Sequence, residues 1–175
     1  VAGRYRNIFQ NVDVQVIPHG VDILSMGTLD NKVAMPVASH DVLRMVYVGT
    51  IIPQKGLDVL LRAMALIADA PIKLKVIGGF YGESGYHREI EALVKADRRV
   101  ELAGGLEAQQ VFKVLRESAL LCLPSVVPES FSLALHECAA TGVPALVSDV
   151  GAPAQQVQSC HCGGVVAAGS PQAWA

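Results

Sequence analysis

Two glutamates, Glu129 and Glu137, flank a predicted helix start and are the first candidates for a chemical role. Glu129 comes just before the helix, and Glu137 follows within it after seven intervening residues. A helix N-terminus carries unpaired N–H groups and a partial positive charge, so it suits an anionic phosphate. Two carboxylates beside a phosphate bound there are electrostatically unfavourable unless another group uses them, as sugar hydroxyls would by donating hydrogen bonds. Either glutamate alone fits an ordinary surface role, but the pair predicts a site for a ligand with phosphate and hydroxyl groups.

A glycine and a lysine after the first predicted strand form a second candidate set. Gly49 ends the strand, where it lets the backbone approach a ligand, and Lys55 stands just before a helix. The helix dipole disfavours a lysine there unless an anion compensates, so we expect Lys55 to reach a phosphate. The segment is not a Walker phosphate loop, and Gly78-Gly79-Phe80 breaks the Gly-x-Gly-x-x-Gly spacing of dinucleotide-binding loops. The main sequence signal for a dinucleotide-dependent dehydrogenase is therefore missing.

Bringing these residues together requires a fold in which several strands end at one edge. Short apolar strands alternate with helices along the chain, which is typical of a parallel sheet covered by helices on both faces. Right-handed crossovers then predict a doubly wound, Rossmann-like α/β domain whose ligands bind beyond the carboxyl ends of the strands. The predicted strands cover residues 43–48, 72–77, 100–102, 120–123, 145–148 and 164–167, and the predicted helices cover residues 56–70, 87–96, 106–118, 132–141 and 153–157.

The first 41 residues differ from the remainder of the chain. They contain a strand candidate over 12–17 and a polar linker over 24–41, and we expect them to be a remnant of a preceding domain. Residues 42–175 form the predicted Rossmann-like domain. Because the chain begins without Met and stops soon after the last predicted strand, we expect a domain cut from a longer protein and shortened at its C-terminus.

Composition and charge argue against several other classes of protein. The chain has 51% hydrophobic and 5% aromatic residues, which indicates an aliphatic core. A net charge of −2 in an interspersed pattern argues against nucleic-acid binding. No apolar stretch is long enough to span a bilayer and no secretory signal is visible, so we predict a cytoplasmic location.

Four cysteines are too few and too scattered for a disulfide framework. We predict that Cys122 and Cys138 are reduced core residues. Cys160-His161-Cys162 resembles part of a metal site, but the sequence offers no convincing further ligands. We therefore predict a loop with incidental cysteines at 160–162, and no bound metal.

Several short motifs occur along the chain in a fixed order. They are residues 16–22 (VIPHGVD), Gly49 followed by Lys55-Gly56, Ile77-Gly78-Gly79, Pro124-Ser125, the two glutamates, Gly142-Val143-Pro144 and residues 148–151 (SDVG). This ordered combination resembles the C-terminal, donor-binding domain of a family 4 glycosyltransferase, which is one half of a GT-B fold. The resemblance runs from about residue 14 to residue 157, and the combination is highly specific although single pieces are not.

The resemblance implies a retaining enzyme that moves a sugar from a nucleotide-diphosphate sugar, UDP- or GDP-linked, in glycan, glycolipid or polysaccharide synthesis, with no cofactor required. It implies that Glu129 contacts the donor sugar near the reacting centre, Lys55 neutralises the leaving diphosphate and Glu137 holds the ribose hydroxyls. N–H groups over 130–133 would serve the sugar and diphosphate, and loops at 78–80 and 103–105 would frame the base. The implied catalytic residues are Glu129 and Lys55, and the implied donor-binding residues are Gly49, Thr50, Lys55, Gly78, Gly79, Phe80, Gly104, Glu129, Ser130, Phe131, Ser132, Leu133 and Glu137.

The chain departs from the family pattern in two ways. Family members usually carry Arg where this chain has Thr50, which leaves Lys55 as the only charged phosphate clamp. The family's acceptor-binding domain and catalytic histidine precede the matched region, and none of the five histidines fits that role. We therefore expect donor binding without efficient transfer, with the absent acceptor domain as the partner. Peripheral membrane association of the full enzyme stays open.

Two alternatives remain. A nucleotide-sugar 2-epimerase shares this fold and would isomerise a free nucleotide sugar without an acceptor, but the motif set fits it less well. A degenerate, non-catalytic binding module is suggested by Thr50 and opposed by the intact Glu129, Glu137 and Lys55.

Overall fold

The computed structural model of the protein describes residues 42–82 and 84–175, together with the isolated positions 8, 13, 15, 17 and 20. The predicted strand over 12–17 and the predicted linker over 24–41 fall outside the two continuous stretches.

The described residues form a single parallel sheet flanked by helices. The strands are β1 (Leu43–Val48), β2 (Ile72–Ile77), β3 (Val100–Gly104), β4 (Leu120–Leu123), β5 (Ala145–Ser148) and β6 (Gly163–Val166). The helices are α1 (Leu57–Leu66), α2 (Ser84–Ala96), α3 (Ala108–Glu117), α4 (Leu133–Thr141), α5 (Gly151–Cys160) and α6 (Pro171–Trp174), and a 3-10 turn, Pro53–Lys55, precedes α1. The strand order is β3-β2-β1-β4-β5-β6, with every pairing parallel. The predicted doubly wound, Rossmann-like α/β class is confirmed.

The strand predictions hold to within two residues, whereas several helix boundaries were wrong. Helix α1 ends at Leu66 rather than at 70 because Ile67 leaves helical geometry (φ −116°, ψ 53°) and Pro71 disfavours helical backbone before it. Helix α2 begins at Ser84, ahead of the predicted 87, and α3 is shorter than the predicted 106–118. Helix α5 replaces the brief helix predicted over 153–157, and α6 was not predicted. None of the described helices combines the length and apolar character needed to cross a membrane.

Two hydrophobic clusters, one on each face of the sheet, hold the domain together. Helices α3, α4 and α5 pack on one face around Val46, Leu121 and Val147, and α1, α2 and α6 pack on the other around Leu74 and Val76. Aliphatic side chains dominate both clusters, as the composition predicts, and their burial is the main source of stability.

The predicted fate of the cysteines is partly confirmed. Cys122 and Cys138 are buried free thiols, and burial raises the pKa of each to about 12. The loop predicted at 160–162 was wrong in part, because Cys160 is the last residue of α5 and His161 ends that helix in the left-handed region at φ 52°. The described residues include no group of three or more potential His, Cys, Asp or Glu metal ligands.

Short apolar strands were predicted from the sequence, and β2 departs from this on one of its faces. Lys73 is exposed and Lys75 partly exposed, and both lie on the same face as the buried Ile77, since alternate residues of a strand share a face. Helix α3 packs on this face against β1, so the part of the sheet beyond β1 carries charged side chains instead of apolar ones.

The strand order reverses between β1 and β4, which lie side by side although they are far apart in sequence. The segment after β1 leads to β2 on one side of this pair of strands, and the segment after β4 leads to β5 on the other side. In doubly wound sheets such a switch point opens a crevice at the carboxyl ends of the strands. Lys55 follows β1 and Glu129 follows β4, so the two predicted motifs meet at this crevice.

Candidate functional site

A concave site of about 340 Å³ opens where β1 and β4 end. We call it the strand-end cleft. Its lining residues are Tyr47, Val48, Gly49, Thr50, Lys55, Leu123, Ser125, Glu129, Phe131, Ser132, Leu133, Ala134 and Glu137. Eight of the predicted site residues, namely Gly49, Thr50, Lys55, Glu129, Phe131, Ser132, Leu133 and Glu137, are therefore brought together in one cleft.

Both oxygens of the Glu129 carboxylate are held by side chains from the cleft wall. Lys55 Nζ donates to Oε2 at 2.6 Å, and the Ser125 hydroxyl donates to Oε1. The Glu129 side chain is 15% exposed and that of Lys55 33% exposed, so water screens this pair only partly. The carboxylate is thus fixed in position, and Lys55 is already paired with it.

A close backbone contact places Lys55 beside the loop after β4. Gly56 takes a left-handed conformation (φ 64°), and a Cβ at this position would lie 2.1 Å from the Pro124 carbonyl oxygen. The Val126 N–H donates to the Gln54 carbonyl at 3.0 Å, which joins the same two segments. Only glycine permits both this conformation and this approach.

A second glycine supports Glu129 from behind. Gly151, the first residue of α5, has φ 75°, and a Cβ there would lie 2.5 Å from both the backbone nitrogen and the backbone oxygen of Glu129. The Ala152 N–H donates to the Glu129 carbonyl at 2.8 Å. Helix α5 therefore fixes the main chain of Glu129, while Lys55 and Ser125 fix its side chain.

The start of α4 forms another wall of the cleft. Ser132, predicted as the first residue of this helix, is its N-cap residue, and the Ser132 hydroxyl accepts from the Leu135 N–H at 3.3 Å. The rings of Phe131 and His136 stack with centroids 4.1 Å apart. His136 Nδ1–H donates to the Ser132 carbonyl at 2.7 Å, and the Gln156 amide donates to His136 Nε2 at 3.1 Å. This network connects the helix start to α5.

Glu137 lies on α4, half-buried in the same cleft. Burial raises the pKa of its carboxyl above the ordinary value. Among the described residues no side chain or backbone group donates a hydrogen bond to it, in contrast to Glu129. A half-buried carboxylate without donors is stabilised by a ligand that supplies them.

The loops after β1 and β2 touch through their backbones. Gly78 has φ 150°, and a Cβ there would lie 1.9 Å from the Gly49 carbonyl oxygen. The Ile51 N–H donates to the Gly79 carbonyl at 2.9 Å. The buried Tyr47 hydroxyl donates to the Thr50 carbonyl at 3.0 Å, and burial raises the pKa of that phenol. These contacts set the path of the loop that carries Thr50.

The remaining predicted residues do not line the cleft. Gly78, Gly79 and Phe80 lie beside it, and the Phe80 ring contacts His87 at 4.7 Å between centroids. Gly104 ends β3, and its carbonyl accepts from the Gly78 N–H at 2.8 Å. The exposed Ser130 is also outside the lining.

Three residues that build the site were not singled out as site residues from the sequence. Ser125 lies two residues after the end of β4, which was the available signal, and Gly151 belongs to a motif noted only for its order. Tyr47 gave no signal, because an aromatic residue in a strand is ordinary core.

The charge of the cleft is negative. Among the described residues, the charged lining residues are Lys55, Glu129 and Glu137, so one cation faces two carboxylates and no arginine is present. The backbone N–H groups at the start of α4 supply the remaining positive potential. No arginine of the described lining therefore takes the place of the one that the family resemblance led us to expect at position 50.

Comparison with known proteins gives a consistent result. The family model described as "Glycosyl transferases group 1" matches residues 43–175. A D-inositol 3-phosphate glycosyltransferase of Mycolicibacterium gilvum is 32% identical over 93% of this chain and 37% of its own length. The protein of the same description from Segniliparus rotundus is 32% identical over 92% of this chain. The chain therefore spans a little over a third of these relatives.

Solved structures share the fold at lower identity. Sucrose-phosphate synthase from Thermosynechococcus elongatus superposes with a TM-score of 0.80 and 24% identity, over 98% of this chain and 44% of that one. The Anabaena protein HepE, solved in complex with UDP and glucose, superposes with a TM-score of 0.76 and 20% identity, over 91% of this chain and 44% of that one.

The contact between Gly151 and Glu129 predicts an effect on stability. We expect Gly151→Ala to lower the free energy of unfolding by more than the cost of a left-handed alanine alone, which is about 1–2 kcal/mol. Gly169→Ala is the matched control, because Gly169 has a similar φ of 70° with no atom within 4 Å of a Cβ. Urea denaturation measures both variants. If both variants lost the same free energy of unfolding, the Glu129 main chain would move aside for a Cβ without an energetic penalty, which would contradict the prediction.

Proposed function

Because this chain belongs to the glycosyl transferases group 1 family, we propose that its strand-end cleft binds the nucleotide-diphosphate sugar donor of a retaining glycosyltransferase. The observation that carries the proposal is the arrangement of one helix start, one lysine and two unlike carboxylates in a single cleft. Each suits a different part of the donor.

The diphosphate is proposed to lie at the start of α4, beside Lys55. Backbone N–H groups over 131–133 and the lysine ammonium are the positive groups of the cleft. The departing diphosphate gains negative charge when the bond from the sugar to its phosphate oxygen breaks. A lysine already held at 2.6 Å from Glu129 needs little reorganisation to stabilise that charge.

The two carboxylates are proposed to serve different hydroxyl groups. Glu129 is held by Lys55 and Ser125 near the proposed diphosphate site, so it is placed to accept hydrogen bonds from hydroxyls of the donor sugar. No group among the described residues donates to the Glu137 carboxylate, and the vicinal ribose hydroxyls would supply two donors. This difference in partners supports assigning the sugar to Glu129 and the ribose to Glu137.

The acceptor side of the reaction is proposed to come from a second domain. The curated relatives are much longer than this chain, which covers 37% of the Mycolicibacterium gilvum protein. We propose transfer of the sugar to an acceptor hydroxyl in the cytoplasm, with no resident metal or cofactor. HepE is solved with UDP and with UDP-glucose, which makes UDP the first nucleotide to test.

Calorimetric titration with UDP, GDP and ADP tests the proposal. We expect saturable binding of one nucleotide and affinity at least about tenfold lower in Glu137→Gln, since hydrogen bonds to charged groups contribute about 1.5–3 kcal/mol. The matched control is Glu91→Gln, which removes an exposed carboxylate from α2. Nucleotide binding that is unchanged by Glu137→Gln would exclude the ribose assignment, and no binding to the folded chain would exclude an independent donor site.

The same titration has an expected pH dependence. The raised pKa of Glu137 means that its carboxyl becomes protonated at a higher pH than an ordinary glutamate. A protonated carboxyl loses much of its capacity to accept from ribose hydroxyls, so affinity should fall as pH is lowered through this pKa. Glu137→Gln should remove that step from the pH profile, while Glu91→Gln should retain it.

Thr50 provides a test of the phosphate site. Thr50→Arg adds a guanidinium to a cleft whose described lining has one cation and two carboxylates, so we expect about tenfold tighter binding of UDP. Uridine is the matched ligand control, because it lacks the phosphates and should bind both proteins equally. Equal gains for UDP and uridine, or no gain for UDP, would contradict a diphosphate beside Thr50.

A further inference from the structure

A second concave site, of about 330 Å³, lies toward the amino-terminal ends of the strands, far along the sheet from the strand-end cleft. We call it the basic groove. Its floor is the charged part of the sheet formed by β1, β2 and β3, and its wall is the last turn of α3. The charged lining residues are Arg44, Lys73, Lys75, Arg98, Arg99, Glu101 and Glu117.

Two like charges face each other on the floor of the groove. Arg44 of β1 and Lys73 of β2 are direct register partners, so their side chains leave the same face of the sheet as neighbours. Both are exposed. Like charges directly opposite across strands are destabilising. Two residues further along the same face of β2, Lys75 pairs with Glu101 of β3 at 3.1 Å. Lys75 thus has an opposite charge beside it, whereas Lys73 has the like charge of Arg44.

The guanidinium of Arg99 is bound by groups of the protein itself. It pairs with Asp97 at 2.7 Å and donates to the carbonyls of Met64 and Ile67 at the end of α1. Arg98, its neighbour in the turn before β3, is exposed at the groove. Among the described residues, Arg44, Lys73 and Arg98 have no ion-pair or hydrogen-bond partner for their side chains.

The groove retains positive charge after its own anionic groups are counted. Lys75 and Arg99 are neutralised by Glu101 and Asp97. Against the three remaining cations stand Glu117 and the C-terminal end of α3, which carries about −0.5 of a charge. This surplus of positive charge lowers the stability of the fold. A carboxylate in place of Arg44 or Lys73 would remove the repulsion, so a sheet face exposed only to water has no use for the two cations.

We infer that the basic groove is a binding site for a phosphate group, of the phosphomonoester class. Arg44 and Arg98 each present a fork of N–H donors that matches phosphate oxygens, and Lys73 adds a point charge between the strands. A bound phosphate would neutralise the like charges at Arg44 and Lys73. The phosphate belongs either to a small metabolite or to a lipid headgroup, since both carry this chemistry. This site is independent of the donor proposed for the strand-end cleft.

The test uses the 175-residue chain and inorganic phosphate as the probe. Phosphate titrations followed by 15N NMR compare the parent chain with R44Q/K73Q and with the matched control K95Q/K113Q, which removes two exposed lysines outside the groove. Flotation with phosphatidylcholine vesicles containing phosphatidic acid separates a lipid source from a free one. A further variant, R44E, replaces the like-charge pair by an opposite one.

The expected result is saturable binding of phosphate, at least tenfold weaker in R44Q/K73Q and unchanged in K95Q/K113Q. R44E should raise the melting temperature by about 1–3 °C without phosphate while losing phosphate binding, so loss of binding is not loss of folding. If the parent chain floats with the vesicles and R44Q/K73Q does not, the phosphate belongs to a lipid headgroup. If the parent chain binds phosphate but does not float, the phosphate belongs to a small metabolite. Binding neither to phosphate nor to vesicles, or equal weakening in the control pair, would overturn the inference.

Discussion

The strand-end cleft depends on Glu129, which is held in place by three segments that are distant from one another in sequence. Lys55 approaches from the chain after β1, Ser125 from the end of β4, and Gly151 from the start of α5. Two of these approaches bring backbone so close to backbone that a Cβ would overlap it, at Gly56 and at Gly151. The switch point of the sheet brings the segments together, and the glycines allow them to close.

This fixation has an electrostatic consequence. The same ion pair that orients Glu129 also engages Lys55, so the described part of the cleft lining presents no unpaired side-chain cation to a diphosphate. Phosphate recognition by this domain then relies on the N–H groups at the start of α4 and on sharing Lys55 between two anions. A site of this kind favours a ligand that brings hydroxyl groups for the carboxylates as well as phosphates for the helix.

Much of the fold could be predicted from the sequence because the signals are local. Apolar runs ended by glycine or proline predicted the strands, and Ser132 followed by apolar residues predicted the start of α4. The grouping of Lys55, Glu129 and Glu137 was also predictable, because strands of a doubly wound sheet end at one edge.

The other features depend on contacts between segments far apart in sequence. The pairing of Lys55 with Glu129, the support of Glu129 by Gly151, and the juxtaposition of Arg44 with Lys73 follow only from the strand order and register. The alternation of Lys73 and Lys75 in β2 was visible in the sequence, but it was outweighed by the general apolar character of the strands. A net charge near zero likewise hid the basic groove, since the cations gather only on folding.

The central claim, that the cleft at the ends of β1 and β4 receives the donor, is tested most directly by 15N NMR with UDP-glucose. The account predicts that the largest amide shift changes fall on residues 49–56 and 129–137, with residues 73–75 and 98–101 nearly unaffected. Largest changes outside the cleft, or changes spread evenly over the domain, would contradict it.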